Sequence, residues 1–138
     1  MHDLALLVGR LLMGALFLPS GIRKAMTYSA FASQLGERGL PFPELWAIAA
    51  IVIEVVAPLA LIIGVFPRAT ALALIAFVVM ATATSHRFWE FAEPQRRFQE
   101  ISFYKNVGIL GGLLFYFAAG PGGLSLNREA RERRLEMA

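Results

Sequence analysis

Four long apolar runs separated by polar links of unequal length set the plan of this chain. The clearest run is Leu45 to Phe66, 22 residues interrupted by Glu54 near its middle and by Pro58. That is the length a helix needs to cross a hydrocarbon core about 30 Å thick. The others are Leu4 to Pro19, which contains Arg10, then Ala69 to Ser85, and Phe103 to Ala119. Only Pro67 and Arg68 separate the second run from the third, so those two helices are expected to form a tight antiparallel hairpin. The fourth run stops at Gly120, Pro121, Gly122 and Gly123, residues that do not continue a helix. The pattern predicts an all-α fold, a four-transmembrane-helix antiparallel bundle over residues 1–126. Residues 127–138 follow as a charged tail, expected to be a solvated helix starting at Asn127.

The links carry patterns of their own. Tyr28, Phe31 and Leu35 recur at helical spacing between the first and second runs, predicting a short amphipathic helix at the membrane surface. Residues 86–102 mix Phe88, Trp89, Phe91 and Phe98 with charges, the composition of an interfacial anchor. Gly108 and Gly112 form a small-xxx-small pair on the fourth run, expected to serve close packing. His2 and Asp3 replace the basic start of a signal peptide, so the first run is expected to be a retained span.

Composition agrees with membrane residence. Hydrophobic residues make up 57% of the 138, and the mean hydropathy is +0.60. There is no cysteine, which excludes disulfides, thiolate metal sites and thiol–disulfide chemistry by this chain itself. The net charge of +3 comes from basic residues spread over links and tail, a pattern that suits membrane lipids as partners and not nucleic acid. With four spans, Arg68, Arg128, Arg131, Arg133 and Arg134 share a side with both termini. Arg23, Lys24, Arg38, Arg87, Arg96, Arg97 and Lys105 lie on the other side. Seven against five gives the positive-inside rule no clean reading. The compact arginine cluster of the tail favours cytoplasmic termini.

The candidate chemistry lies inside the spans. A carboxylate at the centre of a span costs several kcal/mol unless it faces protein or water and has a partner, so Glu54 is either a structural ion-pair member or a ligand- and proton-handling group. From the rise per residue, Arg10 and Glu54 differ in depth by only about 6 Å, within reach of an arginine, and they are expected to pair. The alternative for Arg10 is to snorkel back to the surface near the termini. Lys24, His86, Lys105 and Asn106 fall near the face opposite the termini. With Arg10 and Glu54 they outline a polar funnel, open on the loop side, as the candidate ligand site. Simpler roles stand beside these: a helix cap for His86, snorkelling for Lys105, a helix–helix hydrogen bond for Asn106. Pro58 cannot donate to the Glu54 carbonyl, which leaves that acceptor free in mid-membrane. No metal site is expected, since His2 and His86 lie on opposite sides of the membrane.

Several of these residues together resemble the DoxX family of small bacterial membrane proteins. They are Gly9-Arg10, Ser20-Gly21 with Lys24, Gly39-Leu40-Pro41, Glu54, Gly64 with Arg68, His86, and Lys105-Asn106. The resemblance runs to about Leu126 and implies a four-helix membrane bundle. It also implies association with redox chemistry, since some members are linked to quinone-dependent thiosulfate oxidation and one to an oxidoreductase complex. The chain itself carries no haem, flavin or iron–sulfur motif. The first function class is therefore a redox-associated membrane subunit that binds a quinone or small ligand in the funnel. It would work with a soluble or membrane redox partner. The second is a non-catalytic scaffold or a binding protein for lipid or a small solute. A transporter is a third class, and with no inverted repeat it would require a homo-oligomer.

Overall fold

The computed structural model describes residues 1–127 together with 132, 135 and 136. Five α-helices follow one another: α1 His2–Met26, α2 Tyr28–Glu37, α3 Pro43–Ile63, α4 Pro67–Ser85 and α5 Gln95–Ala119, with a 3₁₀ turn Phe88–Glu90 before α5. Of these, α1, α3, α4 and α5 are long and apolar enough to cross a membrane. Short connections make them antiparallel neighbours, and α2 is the short helix expected between the first two spans. The fold is the expected four-span bundle.

Two spans are longer than the sequence pattern suggests. Hydropathy stops the first at Pro19, yet α1 runs on to Met26. A proline inside a membrane helix is tolerated because neighbouring groups take over the freed carbonyl. Likewise α5 begins at Gln95, eight residues before the apolar run, so polar residues of the 86–102 link form its first two turns. The tail helix expected from Asn127 falls largely outside the described residues. Glu132, Leu135 and Glu136 are helical and exposed.

Proline and left-handed residues set the helix ends. Pro43 and Pro67 each stand at the first turn of their helix, where a missing N–H costs nothing. The phenylalanine before each, Phe42 at φ 55° and Phe66 at φ 46°, holds the left-handed conformation. Both rings are exposed, one at each end of α3. Gly64 closes α3 at φ 81°, donating to the Ala60 carbonyl at 2.8 Å.

Packing runs in series. α1 lies against α3, α3 against α4 and α4 against α5, while α1 and α5 do not pack closely backbone to backbone. Gly14 and Gly21, seven residues apart, make the α1–α3 approach possible. A Cβ on Gly14 would strike the Ile62 side chain, and one on Gly21 would lie 2.9 Å from the backbone carbon and oxygen of Glu54. The main core consists of Phe17, Ala57, Leu61, Ala71, Leu74, Val78, Leu113 and Tyr116. A second, small core of Ala32, Leu35 and Ala47, flanked by Tyr28, Phe31 and Leu40, holds α2 over the start of α3. Of the glycine pair on α5, Gly112 lies beside Met13 but Gly108 faces open space, so the expected close packing is confined to Gly112.

Candidate functional site

The buried polar groups fall into two layers at different depths. In the layer nearer the loops, Lys24 Nζ of α1 donates to Glu54 Oε2 of α3 in an ion pair. Glu54 is almost wholly enclosed, with 4% of its side chain exposed, whereas Lys24 retains 27%. The same ammonium stands 5.1 Å from the ring centres of Phe31 on α2 and Phe77 on α4. Both lie within cation–π range. Phe77 is held in turn by an edge-on contact with Phe17 at 6.4 Å.

Helix direction explains this pairing and corrects the expected one. Side chains lean toward the N-terminus of their own helix. On α1 that tilt carries Arg10 toward the termini and Lys24 into the membrane. On α3, which runs the other way, it carries Glu54 toward the loops. Arg10 and Glu54 therefore diverge, while Lys24 and Glu54 converge. Arg10 instead donates through Nη1 to the Ile62 carbonyl at 2.8 Å and through Nη2 to the Leu124 carbonyl. Ile62 lies eight residues beyond Glu54, about 12 Å along α3. Arg10 is thus not the floor of the funnel, and the apolar core separates it from Glu54.

Arg10 belongs to a clasp at the end of the bundle where the termini meet. It is 2% exposed and satisfies a carbonyl in the last turn of α3, which has no partner within the helix. The segment after α5 folds back over this end. Leu126 N–H donates to the Ile63 carbonyl at 3.1 Å, and Gly123 N–H donates to Asp3 Oδ1 at 2.8 Å. A side chain on Gly64 would meet Arg10 Nη1 and the Ser125 Cβ at 2.5 Å, so the arginine needs glycine there as well.

The other expected site residues lie near the loop face but do not join Lys24 and Glu54. Asn106 is buried and donates through Nδ2 to Thr82 Oγ1 at 2.8 Å, and that hydroxyl donates to the Val78 carbonyl at 2.6 Å. This is the helix–helix hydrogen bond weighed for Asn106. The His86 Nδ1 lies 2.7 Å from Gln99 Oε1, tying the end of α4 to the early turns of α5. Lys105 is exposed and makes no ion pair among the described residues. Arg38 at the end of α2 donates to Ser85 Oγ at the end of α4, which fastens α2 across the loop-side end of the bundle. Phe88, Trp89, Phe103 and Tyr104 form a cluster of mostly edge-on rings on the same face, with Phe88 and Phe103 5.4 Å apart. No group of three or more candidate metal ligands occurs among the described residues.

Phe77, Thr82 and Gln99 carry no motif that marks them in the sequence. Only the packing of α4 and α5 brings them to polar partners. Phe31 does stand out, at helical spacing with Tyr28 and Leu35, though as an interfacial residue and not as a partner of Lys24.

Comparison with known proteins agrees with this architecture. The family model described as DoxX matches residues 5–87. The chain is 32% identical to inner membrane protein YphA of Escherichia coli (strain K12) over 123 residues, 89% of this chain and 88% of that protein. It is 31% identical to inner membrane protein YqjF of the same organism over 128 residues, 93% of each chain. A fainter likeness, 23% over 91 residues, extends to the Surfeit locus protein 4 homolog of Drosophila melanogaster, covering 64% of this chain and 34% of that protein. No solved structure matches the chain. With its four spans and two inner-membrane relatives of nearly equal length, the chain belongs to the DoxX family and is a multi-pass protein of the inner membrane.

Proposed function

We propose that this protein is a membrane-embedded binding subunit that receives the polar head of a quinone or a similar small ligand at Lys24 and Glu54. It serves a soluble or membrane partner that carries the redox centre. The observation that supports this reading is the asymmetry of the pair: a buried carboxylate holding an ammonium that stays partly exposed. A lysine has three N–H donors, and Glu54 takes one. Another can meet a carbonyl oxygen of the ligand, and Phe31 and Phe77 provide flat apolar walls beside it. The donor set therefore fits a quinone head. When bound, a quinone supplies lipid-soluble two-electron, two-proton chemistry. Lys24 would orient its carbonyl, and Glu54 would hold Lys24 in place and offer a carboxylate for proton exchange.

The test is to purify the full chain from membranes and extract it for mass spectrometry. Quinone should accompany the wild type, and the Lys24→Met, Glu54→Leu double variant should lose it. Phospholipid alone, in equal amounts from both proteins, would defeat the reading and favour the scaffold class. One observation supports that second class: Gly21 packs directly on the Glu54 backbone, so the ion pair also locks α1 against α3.

A further inference from the structure

The outward face of α5 carries two opposite charges that no described residue answers. Asn106 and Leu113 turn one side of this helix into the bundle. At 3.6 residues per turn, Arg97, Ile101, Tyr104, Gly108, Gly111 and Phe115 fall in one stripe on the opposite side, with Glu100 at its edge. At the loop-side end of the stripe, Arg97, Glu100, Ile101 and Tyr104 line a cleft of about 390 Å³. That lies within the range of small-ligand sites. Arg97 and Glu100 are close enough in sequence to pair along the helix, yet they form no ion pair with each other or with any other described residue. Deeper in the membrane, a Cβ on Gly108 or Gly111 would meet no atom within 4 Å. The missing side chains leave a shallow trough between the Tyr104 ring and the Phe115 ring, and both rings are exposed.

We infer that this face binds one phospholipid of the loop-side leaflet whose head carries both a phosphate and a primary ammonium, as in phosphatidylethanolamine. Arg97 matches the phosphate with its planar fork of donors. Glu100 accepts from the ammonium, which has N–H groups to give. Tyr104 stands where the apolar run of α5 begins, the level at which an amphipathic ring suits the membrane boundary. The length agrees as well. From Tyr104 to Phe115 the helix rises ~16 Å, about half of a ~30 Å hydrocarbon core and so the depth of one leaflet. An acyl chain can lie in the trough over Gly108 and Gly111, with Ile101 beside its upper end and Phe115 at its lower end. The choice of head follows from charge. An anionic head without an amine would set its phosphate beside Glu100 and leave that carboxylate unanswered. A quaternary ammonium supplies charge but no N–H for the carboxylate to accept. The site shares no residue with the Lys24–Glu54 pair and stands whether or not that pair holds a ligand.

The experiment is native mass spectrometry of the full-length protein, delipidated in detergent and titrated with phosphatidylethanolamine, phosphatidylglycerol or phosphatidylcholine. One phosphatidylethanolamine should bind with about tenfold preference over each of the other two. That comparison uses the unaltered protein and needs no variant. Arg97→Gln should weaken phosphatidylethanolamine binding by about tenfold. Glu100→Gln should still bind lipid but lose the preference among heads, a change that a merely structural role would not produce. Gly108→Leu fills the trough and should weaken all three lipids alike. Equal affinity for the three lipids, or an unchanged preference in Glu100→Gln, would overturn the inference. So would a protein that takes up no lipid and forms a dimer lost in Gly108→Leu, because the face would then belong to a second copy of the chain.

Discussion

Lys24 and Glu54 meet because they lean toward each other from helices of opposite direction, with Gly21 removing the bulk that would hold α1 and α3 apart. Breaking a buried pair costs more than replacing it, since the surviving charge is left without compensation. Lys24→Met strands a carboxylate that is almost fully enclosed and should destabilise the protein by about 3 kcal/mol. Glu54→Gln strands a lysine that can still swing toward the loop-side surface, so about 1–2 kcal/mol is expected. The double variant Lys24→Met, Glu54→Leu should recover much of the Lys24→Met loss. Thermal unfolding in detergent through the complete cycle checks this, with Arg10→Met, Glu54→Leu as the control. A coupling energy for Arg10 and Glu54 as large as that for Lys24 and Glu54 would contradict the geometry.

Gly21→Ala puts a methyl 2.9 Å from the backbone of Glu54, atoms that cannot swing away as a side-chain tip could. The helices must separate, with a loss of about 1–3 kcal/mol. Gly9 and Gly108 sit in the same kind of helix but face open space. Alanine there should be neutral or stabilise by up to about 1 kcal/mol through helix propensity. Unfolding midpoints of the three single variants, measured side by side, separate packing from propensity.

The sequence makes the architecture legible because lipid leaves few options: each spanning helix must show a long apolar run. The α3–α4 hairpin and the short α2 helix follow from spacing alone. Span ends are less legible. Pro19 imitates a stop signal, and the first turns of α5 are polar because they lie at the surface, not because they lack helix. For the site, residue depth by itself misleads. It places Arg10 near Glu54, whereas the tilt of side chains toward helix N-termini separates them and selects Lys24. That tilt was available from the topology. The cation–π contacts of Lys24 with Phe77 and the hydrogen bond from Asn106 to Thr82 were not, since they depend on the rotation of α4 and α5 about their axes.

Four crossings place both termini and Arg68 on one side, and α2 and the 3₁₀ turn on the other. Reporter fusions after Ala138 and after Arg68 should report the same compartment, the cytoplasm on the strength of the tail arginines. Fusions near Glu37 and Glu93 should report the opposite one. A disagreement between Ala138 and Arg68 would require an odd number of spans between them and would break the topology.

Arg10 differs from Lys24 in what its geometry demands. Its planar fork reaches two carbonyls at once, Ile62 in the last turn of α3 and Leu124 in the segment that closes the bundle. A lysine presents a single ammonium on a flexible stem and cannot match that fork. Arg10→Lys should therefore behave as a disruptive change despite keeping the charge. Losing one hydrogen bond to a charged donor and leaving a buried carbonyl unmet costs about 2–3 kcal/mol. The loss should be local before it is global, because the segment at 120–127 is otherwise secured by a few contacts, among them the Gly123-to-Asp3 and Leu126-to-Ile63 bonds. Limited proteolysis should cut Arg10→Lys within that segment at temperatures where the bundle remains folded and the wild type resists. Asp3→Ala, which removes the acceptor of Gly123, should open the same segment more mildly. Cleavage that appears only together with global unfolding would show that the clasp has no separate existence, and that Arg10 supports the bundle as a whole.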